Sequence, residues 1–243
     1  PAGKRNRPTK PPHRGATGSW VGDRGGVRRR RSPNKTCNVP TAPQSDPDFP
    51  ALLIAAARRD METRAGLAAG GALFQGYHPE MEAVHLENAA LLERAIDALG
   101  GWPVRSKYGD EAAGAAFLIA QHAISCPALQ RRALALLLDA VAPGDASVLD
   151  TAYLCDRIAV FEGRPQLFGT QFDWDERGLL SPALCAEPQA LDERRASVGL
   201  PPMAETVAHM RANAAAEGER APPDLAQRRA EFEAWARRVG WRS

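Results

Sequence analysis

From about residue 46 onward, apolar residues recur every three or four positions, the period of a helix that buries one face, and punctuating Pro, Gly and Asp residues cut the pattern into segments. Ser45 and Asp46 are placed to cap a helix beginning near Pro47 that carries Leu52, Leu53, Ala56 and Ala57. A second helix is expected from Pro79 through Val84, Leu91, Leu92, Ile96 and Leu99, with Gly100-Gly101 as its stop. Asp110 caps a third, Glu111 to Ile124, which is apolar almost all round and therefore predicted to be central. Ser125 and Pro127 open a fourth that ends at Pro143-Gly144, and a fifth runs from Ser147 to about Ile158.

The period then changes. Ala159-Val160-Phe161 and Gln166-Leu167-Phe168 flank the turn-like Glu162-Gly163-Arg164-Pro165, which predicts a short β-hairpin. Helical spacing resumes over 190–198, restarts after Gly199-Leu200-Pro201-Pro202 and lapses in 213–222. A last helix from Asp224 to about 240 sets Leu225, Phe232, Trp235, Ala236 and Val239 on one stripe and is expected to dock on the rest. The expected fold is mainly α: a single multi-helix domain over 46–243, with a short hairpin after the fifth helix.

Charge separates the first 45 residues from that domain. They hold 11 Lys and Arg against the single acid Asp23, and the remainder holds 20 basic and 28 acidic residues. Residues 1–45 combine Pro, Gly, Arg, Asn and Thr with few apolar residues, a composition that does not offset the entropy of ordering, so a disordered basic arm is expected. Its run Arg28-Arg29-Arg30-Arg31 reads as a solvated tail or as an upstream start that natural translation does not use. The acidic remainder repels phosphate backbones, leaving the arm as the only route to nucleic acid.

No stretch reaches the roughly 18 consecutive apolar residues of a membrane span, and the start lacks a secretory apolar core. A cytoplasmic protein is expected. Cys37, Cys126, Cys155 and Cys185 are widely spaced, without a CxxC or His-spaced zinc pattern, and read as reduced thiols.

Polar residues on apolar faces are the candidate chemistry. Gln121 and His122 sit among Leu118, Ile119, Ala120 and Ile124, and Asp156 follows Leu149, Ala152 and Tyr153 at helical spacing. An unpaired polar group in such places costs about 1–3 kcal/mol, so each needs a partner, and His122 with Asp156 is the expected pair. Gly169-Thr170-Gln171 after the second strand offers close backbone approach and uncharged hydrogen-bonding groups, but no phosphate-loop spacing. His78, Glu82 and His85 lie on one face of the second helix, yet no second such motif accompanies them, and neither a metal nor another cofactor is expected.

Several stretches taken together carry a family likeness: Gly101-Trp102-Pro103, Gly109, Gln121-His122-Ala123, Gln130, Ala152-Tyr153-Leu154, Asp156-Arg157 and Gln166-Leu167-Phe168-Gly169-Thr170-Gln171. With Asp60, Arg64, Asn88, Asp192, Arg194-Arg195 and Val198-Gly199-Leu200, the chain over about residues 50–212 resembles the bacterial domain-of-unknown-function family 6624. Phe168 stands where that family commonly has Tyr. The resemblance brings no reaction; it implies that polar residues from separate segments recur as a set.

Two functions are weighed. In the first, a small-molecule or enzymatic pocket uses His122 as acid or base and Asp156 to orient it, with Arg157 or Arg195 holding an anionic substrate and Asn88, Gln121, Gln166, Thr170 and Gln171 around it. In the second, the same residues form a buried structural network in a non-catalytic interaction module. Neither an oligomeric state nor a particular ligand follows from the sequence.

Overall fold

The computed structural model describes residues 47–70 and 77–243. The basic arm and the cap expected from Ser45 and Asp46 lie outside them. Eight helices run through the described residues in the order α1 Phe49–Ala69, α2 Pro79–Leu99, α3 Arg105–His122, α4 Pro127–Val141, α5 Val148–Phe161, α6 Leu191–Ser197, α7 Met203–Ala216 and α8 Leu225–Val239. A two-stranded antiparallel hairpin, β1 Phe172–Trp174 with β2 Leu180–Pro182, lies between α5 and α6.

Local chemistry sets most of the ends. Asp48 accepts from the Ala51 amide at 3.2 Å and starts α1. His78 caps α2 in the same way through Nδ1, and Gly100, at φ 73°, ends it in the left-handed region that glycine tolerates. Asp224 accepts from Gln227 N at 2.9 Å to start α8.

Helix α3 is the hub, packing on α1, α2, α4 and α5. Its inward positions are mostly Ala112, Ala115, Ala116 and Ala120, small enough for neighbouring helices to approach on several sides, with Phe117 and Ile119 filling the gaps. Leu53, Leu92, Ile96, Leu129, Leu137 and Leu154 complete the core. Trp235 and Ala236 of α8 are buried in the same cluster, and Phe232 and Val239 pack against it. The chain end is fastened by Trp241, whose Nε1 donates to Ile124 O at 2.7 Å, and by Arg242, which donates to the α5 carbonyls Val160 O and Phe161 O.

Several boundaries differ from expectation. A first turn from Arg105 precedes the expected start of α3, with Gly109 (φ 83°, ψ 161°) kinking the join, and the helix stops at His122 because Ala123 leaves helical geometry. The segment 159–161, expected as a strand, continues α5, since Ile158 and Ala159 both face the core and the helical frame buries them. The hairpin therefore forms later, with Phe172 opposite Pro182 and Trp174 opposite Leu180, and 166–171 becomes a loop. Helix α7 runs past the expected lapse at Asn213, where Ala214, Ala215 and Ala216 favour helix and Ala214 is buried.

Candidate functional site

Two buried carboxylates organise the polar interior, one on α5 and one on α1. Asp156 is fully buried on the inner face of α5. Its Oδ1 accepts from the amides of Leu167 (2.7 Å) and Phe168 (3.0 Å), and its Oδ2 from Thr170 N (2.9 Å) and Thr170 Oγ1 (3.0 Å). A carboxylate that gathers successive backbone amides dictates the path of the loop, and it takes the amides of 167, 168 and 170 out of strand pairing, while Gln166 keeps a single parallel bridge to Cys185. Gln166 supports the same loop, donating to Gln171 O and Ala183 O and accepting from Gln171 N at 2.9 Å. Gln171 Nε2 donates to Thr170 Oγ1 at 3.0 Å.

From the other side, Arg195 is 1% exposed and donates to Phe168 O, Gly169 O, Pro201 O and Thr206 Oγ1. Gly169 sits at φ 66°, and a Cβ there would collide with Met203 Cε. Asp156, Gln166, Thr170, Gln171 and Arg195 are thus brought together as one self-satisfied latch around the 166–171 loop.

His122 is elsewhere. Among the described residues no hydrogen bond joins it to Asp156; its Nδ1 lies 2.9 and 3.0 Å from the two oxygens of Asp60. Asp60 shares the inner face of α1 with Leu53, Ala56 and Ala57 and is fully buried. His85 of α2 completes the group, with Nε2 3.5 Å from Asp60 Oδ2, too long for a good hydrogen bond, and that nitrogen, although buried, has no hydrogen-bond partner. The two imidazole centroids are 5.0 Å apart. One ligand-competent atom from each of the three residues lies within 4.8 Å of the others.

The electrostatics suit ligation. Burial alone would raise the Asp60 carboxyl, but the His122 hydrogen bond and the neighbouring imidazoles of His122 and His85 outweigh it and hold the group well below the usual carboxylate range. Burial pushes the His122 imidazole down against the pull of Asp60, with His85 and Arg157 adding to the shift. The cluster therefore sets an anionic carboxylate beside a His122 imidazole that burial pushes toward its neutral form.

The remaining candidates surround it. Asn88, one turn beyond His85, donates to Ala56 O at 3.2 Å and accepts from Arg59, tying α2 to α1. Arg157 Nη1 donates to Gln121 O at 2.8 Å, beside His122. The Gln121 side chain is 6% exposed, and neither amide atom has a hydrogen-bond partner. The one-face trio from α2 does not converge: His78 is spent on its cap, Glu82 accepts from Ser125 Oγ at 3.1 Å, and His85 turns to Asp60. Surface cavities of about 160 Å³ near Trp102, Arg105 and Asp150, and about 340 Å³ near Asp175 and Arg229, lie on other parts of the molecule.

Sequence reasoning passed over Asp60 as a site residue, although its spacing from Leu53, Ala56 and Ala57 is the signal that singled out Asp156.

Fold and geometry together define a helical domain with a buried two-histidine, one-carboxylate cluster gathered from three helices. The chain belongs to the family of unknown function DUF6624, whose model matches residues 53–216. No curated protein and no solved structure matches it. No helix among the described residues is long and apolar enough to cross a membrane.

Proposed function

We propose that this domain is a metal-dependent, small-molecule-acting protein in which Asp60, His85 and His122 hold a divalent transition-metal ion. The observation that carries the reading is the convergence of one oxygen and two imidazole nitrogens, from three separate helices, within 4.8 Å of one another. Tetrahedral ligands at metal–nitrogen bonds of 2.0–2.1 Å stand about 3.3 Å apart, so the 3.0 Å contact of His122 and the 3.5 Å contact of His85 with Asp60 Oδ2 need only small side-chain adjustments around an ion. Two imidazoles and one carboxylate favour zinc, iron or cobalt over magnesium or calcium, which prefer all-oxygen sites. Three protein ligands leave coordination positions open for water or substrate, the arrangement of a catalytic rather than a structural metal site. Arg157, beside His122, supplies positive charge for an anionic group on that molecule.

Metal titration of the whole chain tests this. One equivalent of Zn²⁺ should bind the wild type and raise its melting temperature, and Asp60→Asn and His122→Ala should each abolish both effects. A wild type that takes up no Zn²⁺, Co²⁺ or Fe²⁺ would sink the reading.

A second reading draws on the 2.9 and 3.0 Å contacts of His122 with Asp60. Without a metal, this pair is an oriented imidazole suited to general acid or base work, with Asp60 in the orienting role expected of Asp156. It predicts ligand binding or turnover that survives exhaustive chelation.

A further inference from the structure

On their inner faces α1 and α2 bury Leu53, Ala56, Ala57, Ala89 and Leu92, and among these apolar groups stands the carboxamide of Asn88, at 1% exposure. Its Nδ2 donates to Ala56 O at 3.2 Å, and its Oδ1 accepts from Arg59 Nη2 at 3.1 Å. In a helix Ala56 O is also the acceptor for the amide four residues on, that of Asp60. Asn88 therefore grips the turn of α1 that carries the carboxylate, from a position one turn beyond His85 on α2. Ala56 with Asn88 and Asp60 with His85 are successive rungs between two antiparallel helices.

Stability alone does not call for an amide at this place. An apolar side chain of similar size would give up both hydrogen bonds together with the cost of burying the polar atoms, an exchange that is often nearly neutral. Ala56 O would keep the Asp60 amide, and Arg59, whose side chain is exposed, would keep Glu87 at 2.9 Å. What a buried amide adds is register, because a single Asn in an apolar seam favours the one alignment in which its partners meet. A slip of α2 along α1 by one residue moves His85 about 1.5 Å against Asp60. Metal–ligand bonds tolerate only about 0.2 Å.

We infer that Asn88 is a positioning residue of the metal centre, a register pin that holds Asp60 and His85 at the spacing one ion can bridge and so sets the metal affinity. The inference rests on the metal-centre reading above. Both ends of the carboxamide are occupied within the protein and the side chain is buried, so Asn88 touches neither ion nor substrate. It acts through the two helices that present Asp60 and His85, and Arg59 contributes by holding the amide oxygen and thereby aiming the amide nitrogen at Ala56 O.

Cobalt titration of the full chain tests it, at a temperature where far-UV circular dichroism shows each protein fully folded, so that a loss of global stability does not by itself change the affinity. Wild type should bind one equivalent. Asn88→Leu should bind about 10- to 100-fold more weakly, as when an outer support of a metal ligand is removed. Arg59→Met, which releases only the Oδ1 end, should weaken binding by less, and Glu87→Gln, which breaks only the exposed ion pair with Arg59, should bind like wild type. If wild type binds Co²⁺ and Asn88→Leu binds within twofold of it, the register pin is overturned while the metal centre stands. If wild type takes up no Co²⁺, Zn²⁺ or Fe²⁺, both proposals fail. Should Asn88→Leu not fold, Arg59→Met decides alone, since it alters an exposed side chain: a loss of more than twofold that Glu87→Gln does not share supports the pin, and any other result overturns it.

Discussion

Asp60 and Asp156 are equally inaccessible to solvent, each on the inner face of a long helix, but they keep different company. Asp156 is met by backbone amides and one hydroxyl from a single loop 11 to 14 residues further along the chain. Its partners are local, and they fasten one segment onto the helix that precedes it. Asp60 is met by two imidazoles from α2 and α3, the His122 contact spanning 62 residues of sequence. Those partners are side chains whose ring nitrogens can ligate, and the Nε2 of one of them, His85, is left without a hydrogen bond. Burial of a charge therefore does not mark a functional site by itself; the chemistry of the groups that neutralise it does.

Removing each carboxylate should separate these roles. Asp156→Ala strands the amides of 167, 168 and 170 together with the Thr170 hydroxyl, and should cost about 3–5 kcal/mol in urea unfolding, as breaking a buried charged network does. A loss below about 1 kcal/mol would leave the latch without energetic support. Asp60→Asn should act mainly on ligand binding. At Zn²⁺ one hundred times its dissociation constant, wild type should gain about 2.7 kcal/mol of stability. The variant should gain nothing, and equal stabilisation of the two proteins would place the ion elsewhere.

Much of this contrast was hidden from the sequence for physical reasons. The ends of α2, α4 and α8 were legible because Pro79, Gly100, Pro127, Asp224 and Gly240 act locally. The hairpin was expected in the right order along the chain but several residues too early, because Val160 and Phe161 suit a strand and an inward-facing helix turn equally, and only tertiary packing chooses. Gln166 to Gln171 looked like a strand end with hydrogen-bonding side chains. The loop it forms depends on a carboxylate one helix earlier, which no local pattern encodes. At the site, helical spacing identified His122 and Asp156 as buried polar residues, but buried groups choose partners across the fold. His85 was weighed against His78 and Glu82 on its own helix, whereas its neighbours come from α1 and α3.

Gly169 sharpens the latch half of the comparison. Gly169→Ala should lose about 1–3 kcal/mol, part from a left-handed backbone angle and part from the collision with Met203. Adding Met203→Ala removes the collision and leaves the backbone cost, so the double variant should recover some stability and remain about 1 kcal/mol below Met203→Ala alone. Full recovery would mean that the loop relaxes readily, a poor property for a latch.

The smallest expected effect isolates what burial adds to an amide-bound carboxylate. Asp175 opens the hairpin turn and, like Asp156, accepts from backbone amides, Leu179 N and Arg177 N at 2.9 Å, and from the Ser181 hydroxyl at 3.0 Å, but it does so in contact with water. The Leu179 amide above all, and then Ser181 and Arg177, draw its carboxyl down to about 2 against a smaller opposing effect of desolvation. A pKa depressed in the folded state contributes stability that is fully present above the ordinary carboxylate value of about 3.9 and is lost as pH falls through the folded value. The turn should therefore hold at pH 5 and loosen between about pH 4 and pH 2. The Leu179 amide proton resonance, followed by NMR across that range, should move with an inflection near 2 in wild type and stay flat in Asp175→Asn. An inflection at the ordinary carboxylate value would mean that the turn hydrogen bonds contribute nothing in water, leaving burial as the source of whatever Asp156 contributes.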